Sequence, residues 1–575
     1  MIRKNRIKRA IVTAACIGAA FSAFGATAGC SATDSKEKIS GADKAEESVK
    51  EADNVEGSDQ EGAQSNEIAE QEESMGADEL SEDEIKKDVY KNAVCCHDPQ
   101  VILADGTYYM TGSHQVLAKS ENLKDWSYIG NGNNVFDNLF SGSLPAFDFV
   151  GKNEEGGYSV WAANTFYNET MQKYVMYFCT TSSYIKSNLC MAVADEPGGK
   201  YTYTDTILYS GFTASHAEET DIYDVLGQDA DLSAYLKYGG YDNEKWPNCI
   251  DPAVFTDEDN RMWMVYGSWS GGIFLLELDP ATGKPVHPIE EAKAGNEDAP
   301  DPYYGYRLVG GGHHAIEGPY LTYSKETGYY YLFLSYGGLT SDGGYQIRQF
   351  RSEKPTGPYV DAAGNRLGAE EDYMNYGLKM MGNYTLPSLS VTYMAPGGQS
   401  VFQDEAGDYY IVYHQRFDDG QEFHEPRVHK LFMTEDGWFT AAPFEYTGDE
   451  SIASISSAAY EASGSEASGE SGAEGVTSLE GTFYVLNHGL DVNNIVNKPV
   501  KCTFSGGNIA SAEGEESLSG SYEFKEGTAF VTLTIDGQNY DGCAFSMTDE
   551  AGNKTLCISA KGSNNETIWA VKYLK

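Results

Sequence analysis

The sequence is poor in positive charge and lacks the cysteine spacings that commonly hold a metal ion. Its 575 residues include 40 Lys and Arg against 87 Asp and Glu, which gives a formal net charge of −47. This excess of negative charge repels phosphate backbones and argues against nucleic-acid binding as the main task. The ten Cys form no C-x-x-C pair and no zinc-like spacing, so the sequence predicts no structural zinc site.

Tyrosine and glycine, by contrast, are abundant. The chain holds 41 Tyr and 62 Gly, and 13% of its residues are aromatic. Aromatic residues favour strands and glycine favours turns. The composition is therefore typical of β-structure with many turns, of sugar-binding surfaces, or of both.

The N-terminus combines a basic segment with an apolar run that ends at a cysteine. Residues 1–9 carry five Lys or Arg, and residues 10–28 are rich in Ala, Gly and Ser. This is the pattern of a secretory signal peptide, and Thr-Ala-Gly-Cys at residues 27–30 is similar to the lipobox of bacterial lipoproteins. We predict a signal over residues 1–30 and a lipid on Cys30 that anchors the chain outside the bacterial membrane. An ordinary cleaved secretory signal is the alternative.

Composition divides the remaining chain into four parts. Residues 31–90 hold 20 acidic and 6 basic side chains, which predicts a disordered acidic tether. Residues 448–476 are rich in Ser, Gly, Ala and Glu and predict a flexible linker. Residues 91–447 and 477–575 alternate short strand-like segments with turns, and each predicts a folded domain.

A Tyr-rich strand motif recurs five times within residues 91–447, at intervals of roughly 66 to 90 residues. Strand–turn–strand repeats without amphipathic helices predict an all-β, five-bladed β-propeller, and a β-sandwich is the alternative. Residues 477–575 predict a smaller barrel or sandwich. The copies of the motif are residues 107–113, 173–179, 262–268, 329–335 and 408–414.

Three carboxylates stand at the entry of predicted blades. Asp98 lies in Cys-His-Asp-Pro-Gln, Asp251 in Cys-Ile-Asp-Pro-Ala, and Glu317 in Ala-Ile-Glu-Gly-Pro. The first strand of each blade lines the propeller axis, so equivalent positions in different blades converge. Converging carboxylates separate their pKa values and can supply the acid and the base of glycosidic cleavage. A turn or cap role for each Asp-Pro, and a calcium site built from all three, are the alternatives.

These segments and their order resemble glycoside hydrolase family 43, and most closely its two-domain endo-1,5-α-L-arabinanases. Residues 393–400, 424–429 and 435–438 resemble that group's last blade. Residues 484–489 and 569–573 resemble its C-terminal β-domain.

The resemblance implies a role for each carboxylate. Asp98 matches the general base, Glu317 the general acid, and Asp251 the carboxylate that orients the acid and tunes its pKa. The family inverts the anomeric centre, so the acid and base carboxyls are expected to lie roughly 6.5–9.5 Å apart. The resemblance also implies calcium at the axis, bound by a His in a Pro-Gly-His-Asn-Ser segment. Here Gly398 takes that position and supplies no side-chain ligand, so no metal-ligating residue is assigned.

Six further residues lie near these segments and are candidates for substrate binding. An aromatic ring at a channel mouth can stack on a sugar face, and polar side chains there can bind hydroxyls. A structural role in the blade core is the alternative for each of them. The candidates are His97, Trp161, Asn248, Ser268, Trp269 and Arg416.

We therefore expect a secreted, monomeric, inverting hydrolase that cleaves α-1,5-linked arabinan internally. The partners predicted are the polysaccharide and, through Cys30, the bacterial membrane. An exo-arabinofuranosidase or a β-xylosidase of the same family is the near alternative. A surface lipoprotein that binds arabino-oligosaccharides without cutting them is the alternative from another class.

Overall fold

The computed structural model describes residues 79–88, 94–130, 132–183, 185–287, 299–453, 455 and 478–575. These residues belong to one unit, Ala77–Lys575. The predicted signal peptide, most of the predicted tether and most of the predicted linker lie outside the described residues. No helix in the described part is long and apolar enough to cross a membrane.

The larger part of the structure is the five-bladed β-propeller that the repeat predicts. Each blade is a four-stranded antiparallel sheet whose strands follow one another in chain order. Blades 1 and 2 consist of β1 (Gln100–Ala104), β2 (Thr107–Gly112), β3 (Val116–Ser120), β4 (Ser127–Gly130), β5 (Ser159–Asn168), β6 (Lys173–Ser183), β7 (Lys186–Ala194) and β8 (Thr202–Ser210).

A short hairpin, β9 (Leu236–Lys237) and β10 (Gly240–Tyr241), separates blade 2 from blade 3. Blades 3, 4 and 5 repeat the four-stranded pattern. They consist of β11 (Ala253–Thr256), β12 (Met262–Tyr266), β13 (Ile273–Leu278), β14 (Tyr306–Val309), β15 (Ile316–Ser324), β16 (Tyr329–Tyr336), β17 (Gln346–Ser352), β18 (Leu378–Met381), β19 (Tyr393–Gln403), β20 (Tyr409–Phe417), β21 (Glu425–Met433) and β22 (Phe439–Ala441).

Within the described residues, helical structure is confined to short segments between strands. One α-helix, α1 (Ile222–Leu226), lies in the connection between blades 2 and 3. The 3₁₀ segments are Ser113–Gln115, Gly132–Asn134, Pro145–Phe147, Ala217–Glu219, Leu232–Tyr235 and Tyr373–Asn375.

The Tyr-rich repeats form the second strand of every blade: β2, β6, β12, β16 and β20. Their rings fill the space between neighbouring blades, and Tyr177, Tyr266, Tyr331 and Tyr413 are fully buried. This packing accounts for the abundance of Tyr, because a large ring removes much apolar surface from water while its hydroxyl finds a partner.

The first strands of the five blades surround the axis. β1, β5, β11, β15 and β19 contact one another in sequence, and β19 contacts β1, so the ring is closed. Residues at the start of these strands therefore meet at one end of the axis although they are far apart in the chain.

The C-terminal domain is a closed barrel, which decides between the barrel and the sandwich. Its eight strands are hydrogen-bonded in chain order, and the last pairs with the first. Closure leaves no exposed sheet edge. The strands are β24 (Gly481–Asn487), β25 (Val500–Ser505), β26 (Asn508–Ser511), β27 (Ser519–Phe524), β28 (Phe530–Ile535), β29 (Gln538–Thr548), β30 (Lys554–Gly562) and β31 (Thr567–Leu574).

Two predicted boundaries differ from the structure. The predicted tether extends to residue 90, but Glu79 forms a bridge with Leu574, and Ile85 is buried in an apolar cluster. The predicted linker begins at residue 448, but β23 (Ser451–Ile452) pairs with β29 of the barrel. In both places a few apolar residues within a polar stretch pack against the folded domains. Composition alone does not reveal this packing.

Candidate active site

A small open cavity lies on the propeller axis. Each blade contributes three consecutive residues in or just before its first strand, so the lining repeats the symmetry of the fold. The lining segments are residues 98–100, 162–164, 251–253, 318–320 and 398–400.

The first residue of every lining segment has a positive φ. The angles are 53° at Asp98, 48° at Ala162, 55° at Asp251, 56° at Gly318 and 58° at Gly398. Asp tolerates this left-handed conformation better than most residues, and Gly adopts it without strain. The shared conformation makes the five positions structurally equivalent and places Asp98 and Asp251 in the same position of blades 1 and 3.

Glu317 does not occupy the position equivalent to Asp98 and Asp251, which corrects the prediction of a common context. It lies one residue before the left-handed Gly318, within β15, and is paired with Ser335. The register shifts between Glu317 and Tyr320. This bulge lets the chain present Glu317 and Gly318 to the same end of the axis.

Asp98 is held by two neighbouring side chains. Its Oδ2 lies 2.7 Å from Nδ1 of His97 and accepts a hydrogen bond of 2.6 Å from the hydroxyl of Ser113. Burial alone raises the pKa of Asp98, but the charge of His97 and the hydrogen bonds from His97 and Ser113 outweigh it. The net effect lowers the pKa of Asp98, so this carboxylate is ionised at neutral pH.

Glu317 lies among three hydrogen-bond donors. The Ser268 hydroxyl and the Trp269 indole N–H donate to Oε2 at 2.9 and 3.0 Å, and the Tyr345 hydroxyl donates to Oε1 at 2.8 Å. Burial raises the pKa of Glu317, the hydrogen bonds from Tyr345 and Ser268 offset part of this rise, and the charge of Asp98 adds to it. The net direction is upward, which favours the protonated form.

Asp251 interacts electrostatically with the other two carboxylates. Its Oδ2 accepts a 3.1 Å hydrogen bond from the backbone N–H of Gly318, next to Glu317. Burial, followed by the negative charges of Glu317 and Asp98, raises the pKa of Asp251. The surroundings therefore favour protonation on the Asp251–Glu317 side of the site and ionisation of Asp98.

A stack of rings joins the two ends of the site. His97 lies parallel to His414 at a centroid distance of 4.0 Å, and Tyr345 also lies nearly parallel to His414, at 5.6 Å. Nδ1 of His414 accepts from the backbone N–H of Asp98 at 3.4 Å. Burial, with the charges of His97 and Arg416, lowers the pKa of His414 well below its usual value. The neutral ring of His414 thus stacks on both His97, which contacts Asp98, and Tyr345, which contacts Glu317.

Family models match both domains. Residues 207–439 match the glycosyl hydrolases family 43 model, and residues 464–570 match a C-terminal lipocalin-like domain. Extracellular endo-α-(1→5)-L-arabinanase 2 of Bacillus subtilis is 32% identical over 506 residues, which cover 85% of this chain and 94% of the relative. The chain belongs to glycosyl hydrolase family 43.

Solved structures of family 43 share the fold over both domains. The endo-1,5-α-L-arabinanase of Thermotoga petrophila superposes with a TM-score of 0.68 at 31% identity, over 84% of this chain and 99% of that one. A family 43 glycoside hydrolase from Bacillus licheniformis gives a TM-score of 0.68 at 32% identity, with the same coverage. The resemblance predicted from the motifs is confirmed.

The six predicted substrate-binding residues of this family 43 chain fall into two groups. His97, Ser268 and Trp269 contact Asp98 or Glu317 directly, as described above. Trp161 lies half-buried on β5, beside the cavity residue Ala162.

Neither of the remaining two candidates is hydrogen-bonded to the three carboxylates within the described residues. Asn248 is buried, and its Oδ1 has no hydrogen-bond partner among the described residues. Arg416 lies close enough for its charge to act on His414. Its Nε donates to the carbonyl of Leu339 at 2.6 Å, and its Nη1 lies 3.2 Å from the carboxylate of Glu422.

Sequence reasoning missed four side chains of the site: Ser113, Tyr345, His414 and His424. Ser113 and His414 are the last residues of two predicted strand repeats, so their place at the end of these strands was available as a signal. Tyr345 stands in a Gly-Gly-Tyr segment that resembles many turns. The ring of His424 lies 4.9 Å from that of His97, a contact that depends wholly on the tertiary fold.

Three of the five equivalent axial positions offer calcium no side-chain ligand. Calcium takes six to eight oxygen ligands, but Ala162, Gly318 and Gly398 place no side-chain oxygen there. The amide of Gln399 is engaged by Ser335 and the carbonyl of Gly318. Within the described residues, the cluster with metal-ligating spacing is His97, Asp98 and His414, and its two nitrogens and one carboxylate do not match calcium.

Proposed function

We propose that this chain is a secreted endo-acting arabinanase that hydrolyses α-1,5-linked L-arabinan with inversion. The observation that carries the proposal is the axial site of a family 43 propeller, whose surroundings lower the pKa of Asp98 and raise the pKa of Glu317. Two relatives that match most of the chain bear the name extracellular endo-α-(1→5)-L-arabinanase, which supports the substrate and the extracellular location.

In the proposed reaction Asp98 is the base and Glu317 the acid. Asp98 takes a proton from a water molecule, whose oxygen forms a bond to the anomeric carbon of arabinose. The bond from that carbon to the glycosidic oxygen breaks, and Glu317 gives its proton to the leaving oxygen. Asp251 accepts a hydrogen bond from the backbone N–H of Gly318 and thereby orients the neighbouring Glu317.

Substrate contacts are proposed for the side chains around the cavity. The half-buried ring of Trp161 is placed beside the lining and supports stacking on a sugar face. The unpartnered Oδ1 of Asn248 supports binding to a sugar hydroxyl, because a buried acceptor without a donor is costly. His97, Ser268 and Trp269 are engaged with the carboxylates and position them.

The test is a time course of product formation by residues 79–575 on debranched linear arabinan. We expect a spread of oligosaccharides from the first minutes and inversion at the anomeric carbon by proton NMR. Glu317→Gln keeps the shape of the side chain and should lower the rate by at least about 10³-fold. Glu326→Gln, in the exposed turn between β15 and β16, is the matched control and should leave the rate unchanged.

Other outcomes select the alternatives. Monosaccharide alone from the start would replace internal cleavage with exo-action, and release of xylose from xylo-oligosaccharides would indicate a β-xylosidase. Retention of arabinan on the protein without products would leave a binding lipoprotein.

We also propose that a lipid on Cys30 holds the enzyme at the cell surface. The lipobox-like end of the predicted signal supports this anchor. Cys30→Ser should release the enzyme into the medium of an expressing bacterium, while wild type stays with the membrane fraction. Release of both forms would refute the anchor and leave a freely secreted enzyme.

A further inference from the structure

One loop of the barrel reaches across to the propeller. It connects β24 to β25 and comprises residues 488–499. Its first residue, His488, is fully buried against Tyr384 and Trp569. Near its end, Asn497 donates its backbone N–H to the carbonyl of Asn383 at 3.0 Å. Both ends of the loop are thus fixed where the two domains meet.

The middle of the loop satisfies two buried cations of blade 4. The backbone carbonyl of Leu490 accepts a hydrogen bond from Arg348, and that of Asp491 accepts from Lys379 at 3.1 Å. Arg348 is fully buried and Lys379 is 2% exposed. A buried charge without partners is strongly unfavourable, so these carbonyls hold the loop firmly on blade 4.

The loop also packs on the short segment that carries Tyr345. A Cβ placed on Gly344 would lie 2.7 Å from the backbone of Asn493, so the two backbones are in direct contact. Gln346 donates to the carbonyl of Asp491 at 2.8 Å. Val496 packs against the apolar cluster that contains Tyr345. The loop therefore touches the residues before and after Tyr345 and the cluster around its ring.

Tyr345 in turn contacts the proposed acid, since its hydroxyl donates to Oε1 of Glu317 at 2.8 Å. We propose that residues 489–496 of the barrel are a positioning element that holds Tyr345, and through it Glu317, in the reactive geometry. The inference rests on the proposed function, because it takes Glu317 as the acid. It gives the barrel a role in catalysis without any contact between the barrel and the reacting atoms.

Position matters because small displacements of a catalytic group are costly. A shift of about 1 Å can reduce a rate by about 10²-fold. A donor that moves away from Glu317 also stops stabilising the ionised form. The alkaline limit of activity, where the acid loses its proton, then moves to higher pH.

The experiment compares Val496→Asn with Tyr345→Phe and with the double variant. Val496→Asn introduces a polar side chain at the cluster without adding a charge near Glu317. We expect a fall in kcat of about tenfold with little change in KM, and an alkaline limb of kcat/KM shifted to higher pH. Tyr345→Phe should shift the same limb in the same direction, and the double variant should add little to either single effect.

Controls separate positioning from loss of folding. Val286→Asn makes the same substitution at a valine outside this loop, whose side chain is 44% exposed, and should match wild type. Thermal unfolding is measured for every variant, and Val496→Ala, a milder change, replaces Val496→Asn if the latter does not fold.

Two results would overturn the inference while the proposed function stands. One is a folded Val496→Asn enzyme with wild-type kcat and wild-type pH profile. The other is fully additive effects in the double variant. A wild-type chain that cleaves no arabinan would refute the proposed function itself, and the positioning role with it.

Discussion

At the residue scale, Asp98 and Glu317 are carboxylates of one site whose neighbours shift their pKa values in opposite directions. Asp98 receives a hydroxyl hydrogen bond and lies against an imidazole, whereas burial and the charge of Asp98 raise the pKa of Glu317. These opposite shifts fit the base and the acid of the proposed reaction. The neighbours of each carboxylate, rather than its residue type, set the direction of its pKa shift.

Removal of the Ser113 hydroxyl should raise the pKa of Asp98. Asp98 must be ionised to act as a base, so the acidic limb of kcat/KM follows its pKa. Because the lowering by Ser113 is lost in Ser113→Ala, that limb should move to higher pH. The measurement is a pH profile of kcat/KM on linear arabino-oligosaccharides.

The matched control is Ser120→Ala, a buried serine of the same blade that bonds to Asn122 instead. Its acidic limb should stay at the wild-type pH. An unchanged acidic limb in Ser113→Ala would mean that Ser113 does not tune the base.

Gly398 should tolerate no side chain. A Cβ at this position would lie 2.7 Å from Nδ1 of His414 and still closer to Oδ1 of Asp98. Gly398→Ala should therefore displace Asp98 and reduce kcat/KM by about 10²-fold. Gly328→Ala is the control, because Gly328 has φ +72° but nothing within 4 Å of the added Cβ. Wild-type activity in Gly398→Ala would contradict the close approach.

At the element scale, buried carboxylates hold the turns that join strands. In blade 3, Asp257 follows β11 and accepts hydrogen bonds from the backbone and side chain of Arg261, both at 2.8 Å. It also accepts from the indole of Trp263 at 2.8 Å. One short side chain thus fixes the turn and the start of β12.

Asp257→Ala should destabilise the protein without changing its chemistry. It leaves the Trp263 N–H unpaired and removes the partner of Arg261, which costs about 2–4 kcal/mol of unfolding free energy. We expect a lower thermal midpoint and wild-type kcat at 25 °C. Asp259→Ala removes only an exposed ion pair of 3.7 Å and should lower the midpoint little. Equal thermal midpoints for both variants would show that the hydrogen bonds of the buried Asp257 stabilise the protein no more than the exposed ion pair of Asp259 does.

The element scale is also where sequence reasoning succeeded best. The Tyr-rich repeat located the second strand of all five blades, because a buried strand must carry apolar and aromatic residues wherever it occurs. It located Glu317 less well. A β-bulge offsets this residue by one position, and bulges leave little trace in a single sequence.

At the scale of the whole molecule, the propeller and the barrel share an apolar interface. Phe432 of blade 5 stacks on Phe545 of the barrel at 3.9 Å, and Tyr384 meets Trp569 edge to face at 5.0 Å. All four rings are at most 4% exposed. An interface this buried couples the unfolding of the two domains.

We predict a single transition for wild type in scanning calorimetry. Phe545→Ala removes the stacked ring, costs about 3–5 kcal/mol, and should split or broaden the transition. Tyr167→Ala, at a side chain that is 44% exposed, should keep the single transition. Two separate transitions in wild type would show that the domains unfold independently.

The sequence by itself determined the β-architecture, the number of blades, the family and the three carboxylates. Each of these depends on local signals: the alternation of apolar and polar residues, repeated turns, and short motifs at particular places in the chain. The tertiary structure alone decided which side chains surround those carboxylates. Ser113, Tyr345 and His414 reach the site because five blades close into a ring, and the barrel loop reaches it because an apolar interface docks one domain on the other. Such contacts join residues that are distant in sequence, and no local pattern encodes them.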